Sequence, residues 1–281
     1  MNGKTCLVTG ATQGIGKETA RELVKLGANV TIVGRDPART EEAATELEKE
    51  RSGAHVDFLL ADLSSMAAVR KLAKDFRAKQ DRLDVLVNNA GVVLMEHKTT
   101  ADGFEATFAT NHLAYFLLTE LLLDLLKKSA PSRIVSVASD AHKGASIPFQ
   151  ETTDKNYSCM RAYSQSKLAN ILFTRELARR LEGTGVTANC LHPGVIASGF
   201  GRNNSGWLGF GVKLMSPFLI TPKKGAKTTI FLASSPDVEG ITGKYFDKCK
   251  ETKSSKPGDD MGLATQLWKT SEEMVQKAGL A

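Results

Sequence analysis

The residues best suited to acid–base chemistry are Tyr163 and Lys167, four positions apart in a stretch of helical periodicity that begins near residue 160. This spacing puts both side chains on one face of a helix, a single turn apart. A phenol has an ordinary pKa of about 10 and is a poor base at neutral pH. A neighbouring ammonium stabilises the phenolate and lowers that pKa, which makes the tyrosine a usable acid or base. A Tyr-x-x-x-Lys pair alone also arises by chance in many helices.

Ser139 and Asn111 extend this pair. Ser139 follows a predicted buried strand, where its hydroxyl can polarise a substrate oxygen alongside the phenol. Asn111 lies inside a predicted long helix, in which an amide is a weak helix former. It either holds a local bend and a water that relays protons to Lys167, or acts as a hydrogen-bonding residue of the core.

A glycine-rich turn, Gly10-x3-Gly14-x-Gly16, follows the first predicted strand and opens a predicted helix. Glycines let a backbone turn sharply and approach a pyrophosphate, which the amides and dipole of the helix N-terminus stabilise. The spacing differs from the commoner G-x-G-x-x-G, and the glycines alone could form only a tight turn. Their position favours phosphate binding, and hence a dinucleotide.

The end of the second predicted strand bears on the choice between NAD and NADP. An acidic residue there would bind the ribose hydroxyl of NAD, but this chain has Gly34 followed by Arg35. A guanidinium suits bidentate contact with a 2′-phosphate, so we expect NADP(H) rather than NAD(H). Asp36 is either the acidic partner of NAD or the N-cap of a helix that starts at Pro37.

Further candidates follow the next two predicted strands. Asp62, before Leu63, could accept a hydrogen bond from an adenine amine or cap a helix, a role for which Ser64 and Ser65 compete. The run Asn88 to Gly91 follows the fourth strand.

The pattern of elements predicts an α/β chain: a single-domain Rossmann fold, with a doubly wound parallel sheet of about seven strands and helices on both faces. Ligands of such sheets bind at the carboxyl ends of the strands. The strands are predicted at Thr5–Thr9, Asn29–Val33, His55–Leu60, Asp84–Asn88, Arg133–Ala138, Val186–Leu191 and Thr242–Phe246, and the helices near 14–26, 37–51, 65–79, 102–128, 160–182 and 222–234.

Composition excludes several classes. The formal charge of +6 comes mostly from scattered lysines, and the run Lys248–Lys256 is interpreted as solvated surface, so we expect no nucleic-acid partner. The four cysteines are widely spaced, which argues against a zinc site or any other metal site and against a disulfide framework. No apolar run reaches the length of a membrane span, and the first strand starts at once. We therefore expect a soluble, cytoplasmic protein.

Taken together, the motifs resemble those of the short-chain dehydrogenase/reductase family over residues 5–200. Blocks such as Tyr163-Ser-Gln-Ser-Lys167-Leu-Ala-Asn170 and His192-Pro193-Gly194-Val195 are similar to the retinol dehydrogenase branch. The resemblance implies a catalytic set of four residues. In it Tyr163 is the proton donor or acceptor, Ser139 binds the substrate oxygen, Lys167 binds the ribose, and Asn111 is the fourth member. It also implies NADP(H), with a contact set of Gly10, Thr12, Gln13, Gly14, Ile15, Gly16, Arg35, Asp62, Leu63, Asn89, Ala90, Gly91, Tyr163, Lys167, Pro193, Gly194, Val195 and Ser198.

The expected function is hydride transfer between nicotinamide and the alcohol or carbonyl carbon of an apolar substrate, retinol-like or a broader set of carbonyls. Segment 199–221 is rich in glycine and large apolar residues and is interpreted as a substrate lid, with a membrane-contact or dimer patch as the alternative. A non-catalytic cofactor sensor is disfavoured by the Tyr163–Lys167 pair. The helices at 102–128 and 160–182 could form a homodimer, unless a loosely packed helical extension near 259–277 leaves the chain monomeric.

Overall fold

The strands form one sheet in the order β3-β2-β1-β4-β5-β6-β7-β8. The computed structural model describes residues 1–143, 145, 157–194 and 220–278. Strands β1 to β7 pair in parallel and β8 pairs antiparallel with β7. Their bounds are β1 Thr5–Thr9, β2 Asn29–Gly34, β3 Val56–Leu60, β4 Val85–Asn88, β5 Ser132–Val137, β6 Val186–His192, β7 Tyr245–Asp247 and β8 Lys250–Thr252.

Helices cover both faces of this sheet. Alternate residues of β1 point to opposite faces. Cys6 and Val8 pack against the helices at 14–25, 37–48 and 222–234, whereas Leu7 packs on the side of the helices at 66–79, 114–128 and 159–180. This confirms the doubly wound Rossmann-like fold. The helices are α1 Gly14–Lys25, α2 Pro37–Glu48, α3 Met66–Lys79, α4 Ala106–Phe108, α5 Ala114–Lys128, α6 Cys159–Arg180, α7 Pro222–Ser234 and α8 Met261–Lys277.

The predicted helix over 102–128 is interrupted. It begins at Ala106, where the Glu105 carboxylate accepts from two amides of the first turn, and a π-helical turn, Ala109–Leu113, joins α4 to α5. Such bulges occur mostly within α-helices and frequently at functional sites. Asn111 lies in this turn.

The edge of the sheet differs from the prediction. The predicted strand Thr242–Phe246 is observed at Tyr245–Asp247, and an eighth strand, β8, follows a tight turn in which Lys248 and Cys249 have positive φ angles of 49° and 61°. All three residues of β8 are exposed. This strand was missed because it is short and polar and buries no apolar face.

The C-terminal helix α8 is firmly packed rather than loose. Ala264, Leu267 and Trp268 are at most 2% exposed. The Trp268 ring lies against Phe116 of α5 and Phe173 of α6, with centroids 4.9 and 5.8 Å apart. Helix α8 therefore packs against α5 and α6 and joins the core on that side of the sheet. Among the described residues, no helix has the length and hydrophobicity needed to cross a bilayer.

Candidate active site

Ser139 and Tyr163 meet beyond the carboxyl end of β5. Ser139 caps a 3-10 turn, Asp140–His142, with its Oγ accepting from the Ala141 amide at 3.2 Å. Tyr163 lies in the second turn of α6, which Ser158 caps. The phenol hydroxyl forms a hydrogen bond with the Ser139 side chain. The structure thus brings together the two residues that the sequence analysis assigns to the substrate oxygen.

Lys167 lies one turn further along α6 and is only 3% exposed. Its Nζ donates to the Val137 carbonyl at 2.9 Å and lies 5.6 Å from the centroid of the Tyr163 ring. Burial lowers the pKa of Lys167 to about 7. The side chain can therefore exchange a proton near neutral pH, where an exposed lysine would stay charged.

The ionisation of Tyr163 differs from the expectation. Burial raises the pKa of Tyr163, and its hydrogen bond with Ser139 acts in the opposite direction and is the weaker influence. The lowering expected from Lys167 also calls for the positive charge of an oxidised nicotinamide ring beside the phenol. The phenol is held protonated, the form that donates a proton to a carbonyl oxygen.

Asn111 connects three parts of the site. Its Oδ1 accepts from the Val92 amide at 2.8 Å, and its Nδ2 donates to the Val92 carbonyl and to Ser166 Oγ, each at 3.0 Å. Ser166 Oγ in turn donates to the Tyr163 carbonyl at 2.7 Å. These bonds use both Nδ2 hydrogens and one acceptor position of Oδ1, and they anchor the strand-four loop and α6 to the π-helical turn.

The residues after β4 hold the glycine-rich turn. Asn89 Nδ2 donates to the carbonyls of Thr9 and Gly10 at 2.7 and 3.2 Å. A Cβ added at Gly16 would lie 2.4 Å from Asn89 Nδ2, so this close approach requires glycine. At Gly91, a Cβ would lie 3.5 Å from Lys167 Nζ, which places this loop directly beside the catalytic candidates.

The start of α1 has the properties of an anion site. Its N-cap residue, Gln13, makes no side-chain capping bond, and its first turn carries no acidic residue. The other helices of the described ranges that start from a loop all have a side-chain cap: Asp36, Ser65, Glu105, Ser158, Thr221 and Asp260. Gly14 has a φ of 62° and open space on its Cβ side. The free amides and the open approach fit a dinucleotide pyrophosphate.

Asp36 makes the bond expected of a helix cap. Its carboxylate accepts from the Arg39 amide at 2.9 Å and so acts as the N-cap of α2, with Pro37 next. Arg35 and Arg39 are both exposed, and Arg39 Nη2 donates to Gln13 Oε1 at 2.9 Å. Arg39 was not selected from the sequence as a phosphate ligand. The sequence feature that could have identified it is its spacing of four residues from Arg35.

The remaining candidates lie around the same edge of the sheet. Ser65, not Asp62, caps α3, while the exposed Asp62 carboxylate accepts from the Ser64 amide at 3.0 Å. Leu63 is buried and Pro193 and Gly194 follow β6. Thr12 and Ile15 are half-buried in the glycine-rich turn, and Ala90 accepts the Tyr115 hydroxyl bond at 2.7 Å. Val195, Ser198 and nearly all of segment 199–221 lie outside the described residues.

Comparisons with known proteins agree with this geometry. A family model of the short chain dehydrogenases matches residues 4–208. Mouse retinol dehydrogenase 14 is 47% identical, covering 98% of this chain and 86% of its own length, and human retinol dehydrogenase 12 is 46% identical over 97% and 86%. The solved Pseudomonas aeruginosa RhlG/NADP active-site complex is 28% identical, with a TM-score of 0.72 over 94% of this chain and 97% of the other. The chain therefore belongs to the short-chain dehydrogenase/reductase family, in the retinol dehydrogenase branch, and is an oxidoreductase of alcohol or carbonyl groups.

Proposed function

We propose that the protein is an NADP(H)-dependent oxidoreductase that interconverts an apolar alcohol and its aldehyde or ketone, with a retinol-like substrate as the first candidate. The observation that carries the proposal is the hydrogen-bonded Ser139–Tyr163 pair with the buried Lys167 one turn away. This group lies beside Gly91 and the glycine-rich turn, so the reacting carbon and a nicotinamide ring would share one edge of the sheet.

The chain's own residues would perform the proton chemistry. Ser139 and Tyr163 would hold the substrate oxygen, and the protonated phenol would donate its proton as a carbonyl is reduced. Lys167, with a pKa of about 7, would return a proton toward Tyr163 and bind the ribose. Asn111 would keep α6 and the strand-four loop in register through Ser166 and Val92. A bound nicotinamide supplies or accepts the hydride at its C4 atom.

Three observations support NADP(H) over NAD(H). Asp36 Oδ1 accepts from the Arg39 amide and caps α2, so this carboxylate already has a structural role at the end of β2. Arg35 and Arg39 are exposed, and Arg39 is bonded to Gln13, so two guanidinium groups near the glycine-rich turn would neutralise a 2′-phosphate. The Pseudomonas aeruginosa relative is solved with NADP.

The relatives named retinol dehydrogenases support an apolar, retinol-like substrate. The apolar composition of segment 199–221 favours the same class without separating retinoids from other apolar carbonyls. A broad carbonyl reductase is therefore the second candidate, since it would use the same proton chemistry.

The test is oxidation of NADPH and NADH, followed by nicotinamide absorbance, against all-trans-retinal, aliphatic aldehydes and aromatic quinones. Rapid turnover of retinal with NADPH alone would support the first candidate. Turnover of the other carbonyls without retinal would favour the second. Tyr163→Phe should abolish turnover while NADPH still binds, because the phenyl ring keeps the packing and loses the proton. Full activity of Tyr163→Phe would refute the assignment.

A further inference from the structure

The catalytic-serine turn, Ser139 to His142, is hydrogen-bonded to the imidazole of its own last residue, His142. His142 Nδ1 lies 2.7 Å from the Ser139 carbonyl oxygen, which also accepts from the His142 amide at 3.1 Å. A carbonyl oxygen can only accept a hydrogen bond, so Nδ1 must carry the hydrogen. The His142 imidazole therefore donates a hydrogen bond to the backbone carbonyl of Ser139, the residue whose hydroxyl is bonded to Tyr163.

The other ring nitrogen is bonded to the C-terminal part of the chain. His142 Nε2 accepts from the Ser255 amide at 3.0 Å. With Nδ1 as donor and Nε2 as acceptor, the geometry requires one neutral tautomer. The side chain is fully buried, and burial lowers the pKa of His142, which favours this neutral form.

Two further bonds attach the same turn to neighbouring strands. Tyr245 of β7 donates its hydroxyl to Asp140 Oδ1 at 3.1 Å, and the Asp140 amide donates to His192 Nδ1 of β6 at 3.1 Å. The Tyr245 and His142 rings pack edge to face with centroids 5.1 Å apart. The 3-10 helical part of this turn, Asp140–His142, has only three residues, so its position depends on these contacts from sequence-distant elements.

We propose that His142 is a positioning residue for the reaction: braced by the Ser255 amide, it holds Ser139 so that its hydroxyl faces Tyr163. The segment after β8 thereby becomes part of the active-site scaffold. This inference rests on the proposed function, in which Ser139 and Tyr163 bind the substrate oxygen.

The measurable consequence lies in the ionisation of Tyr163. Since the Ser139 hydrogen bond lowers the pKa of Tyr163, displacing Ser139 should raise that pKa. Groups that face the phenol are Ser139, the Lys167 ammonium at 5.6 Å from its ring and Tyr115. Those that face His142 are Asp140, Lys143, Asp259, His192 and Tyr245, which the test variants leave intact.

The test uses two sites of substitution. His142→Phe removes both nitrogen bonds and keeps a ring, whereas His142→Asn retains a donor near the Nδ1 position. Ser255→Pro removes the amide hydrogen, and Ser255→Ala keeps it and serves as the matched control. We expect the Phe and Pro variants to lower kcat at least about tenfold with the KM for NADPH unchanged. The Asn variant should be intermediate, and the Ala variant should match the wild type.

The deciding readout is the pH at which Tyr163 ionises, taken as tyrosinate absorbance minus that of the Tyr163→Phe variant. This titration needs no turnover, so it stays informative even if the substrate proposal fails. An upward shift in His142→Phe and Ser255→Pro, absent in Ser255→Ala, supports the positioning role. Phe76→Leu, in α3, supplies a destabilised variant remote from the turn. An unshifted Tyr163 titration in folded His142→Phe, or an equal shift in Phe76→Leu, overturns the inference.

Discussion

Replacing Arg39 with alanine tests whether the two exposed arginines select the cofactor. Arg39 Nη2 donates to Gln13 Oε1 at 2.9 Å, beside the start of α1 that has no side-chain cap. Arg35 follows Gly34, where an added Cβ would come within 2.5 Å of Thr12. The Arg39 guanidinium and the backbone just before Arg35 therefore lie next to the turn that would hold the pyrophosphate.

The size of the effect follows from exposure. A hydrogen bond to a charged group contributes about 1.5–3 kcal/mol, and salt screens exposed charges. Because Arg35 and Arg39 are exposed, we expect the lower value, about 1.5 kcal/mol for each, or roughly a tenfold rise in the Kd for NADPH. The double variant should lose roughly a hundredfold. NADH, which lacks the phosphate, should change by no more than about twofold.

The assay is titration of NADPH and NADH by nicotinamide fluorescence at one fixed ionic strength. Lys49→Ala is the matched control, since Lys49 is an exposed cation at the opposite end of α2. Equal weakening of NADPH and NADH in Arg39→Ala would refute the reasoning, because the arginine would then support the turn rather than bind phosphate. So would an equal loss of NADPH affinity in Lys49→Ala, which would point to general charge.

Three predictions concern stability. Lys167 has a folded pKa of about 7 against an unfolded value near 10.4, so it binds fewer protons in the folded state. Between these pH values its contribution to stability therefore rises with pH by about 1.4 kcal/mol per unit. Lys167→Met should flatten this slope when the free energy of unfolding is measured in urea at several pH values, and an unchanged slope would contradict the reasoning. Burial opposes ionisation of Asp84, but bonds from Arg82, Lys4 and the Thr5 amide lower its pKa, so the stability it adds above its unfolded pKa is lost as pH falls through the folded one. Asp84→Asn should lose about 1–3 kcal/mol of unfolding free energy at pH 7 and progressively less as the pH falls, and an equal loss across the acid range would disprove the linkage. Trp268→Ala should cost about 3–5 kcal/mol of unfolding free energy, measured by chemical denaturation, because the ring is buried between Phe116 and Phe173; a loss below about 1 kcal/mol would show that α8 is dispensable to the core.

The parts of the fold that could be predicted are those with local signals. Strand β1 was predicted at its observed bounds because all five of its residues are buried and apolar or small. The start of α2 was likewise readable, since Asp36 and Pro37 form a cap and first turn within the sequence itself. Strand β8 lacked such a signal, because its residues are polar and exposed.

The parts that could not be predicted depend on long-range contacts. The π-helical turn at Asn111 is anchored to Ser166 on α6, and no local pattern marks it. His142 was not selected as a site residue from the sequence, since its partner Ser255 is 113 positions away. Ser139 and Tyr163 were paired correctly from their positions after β5 and in α6, since a parallel sheet brings such ends together.

The uncapped start of α1 would also make the stability of the folded chain depend on the concentration of its dinucleotide. An anion bound to these amides would stabilise the folded chain, because the unfolded chain has no such site. At a hundred times the Kd, such binding adds about 2.7 kcal/mol of stability. The melting temperature should therefore rise with the concentration of the dinucleotide. Protein without bound dinucleotide should be degraded by proteases faster than protein that has it bound.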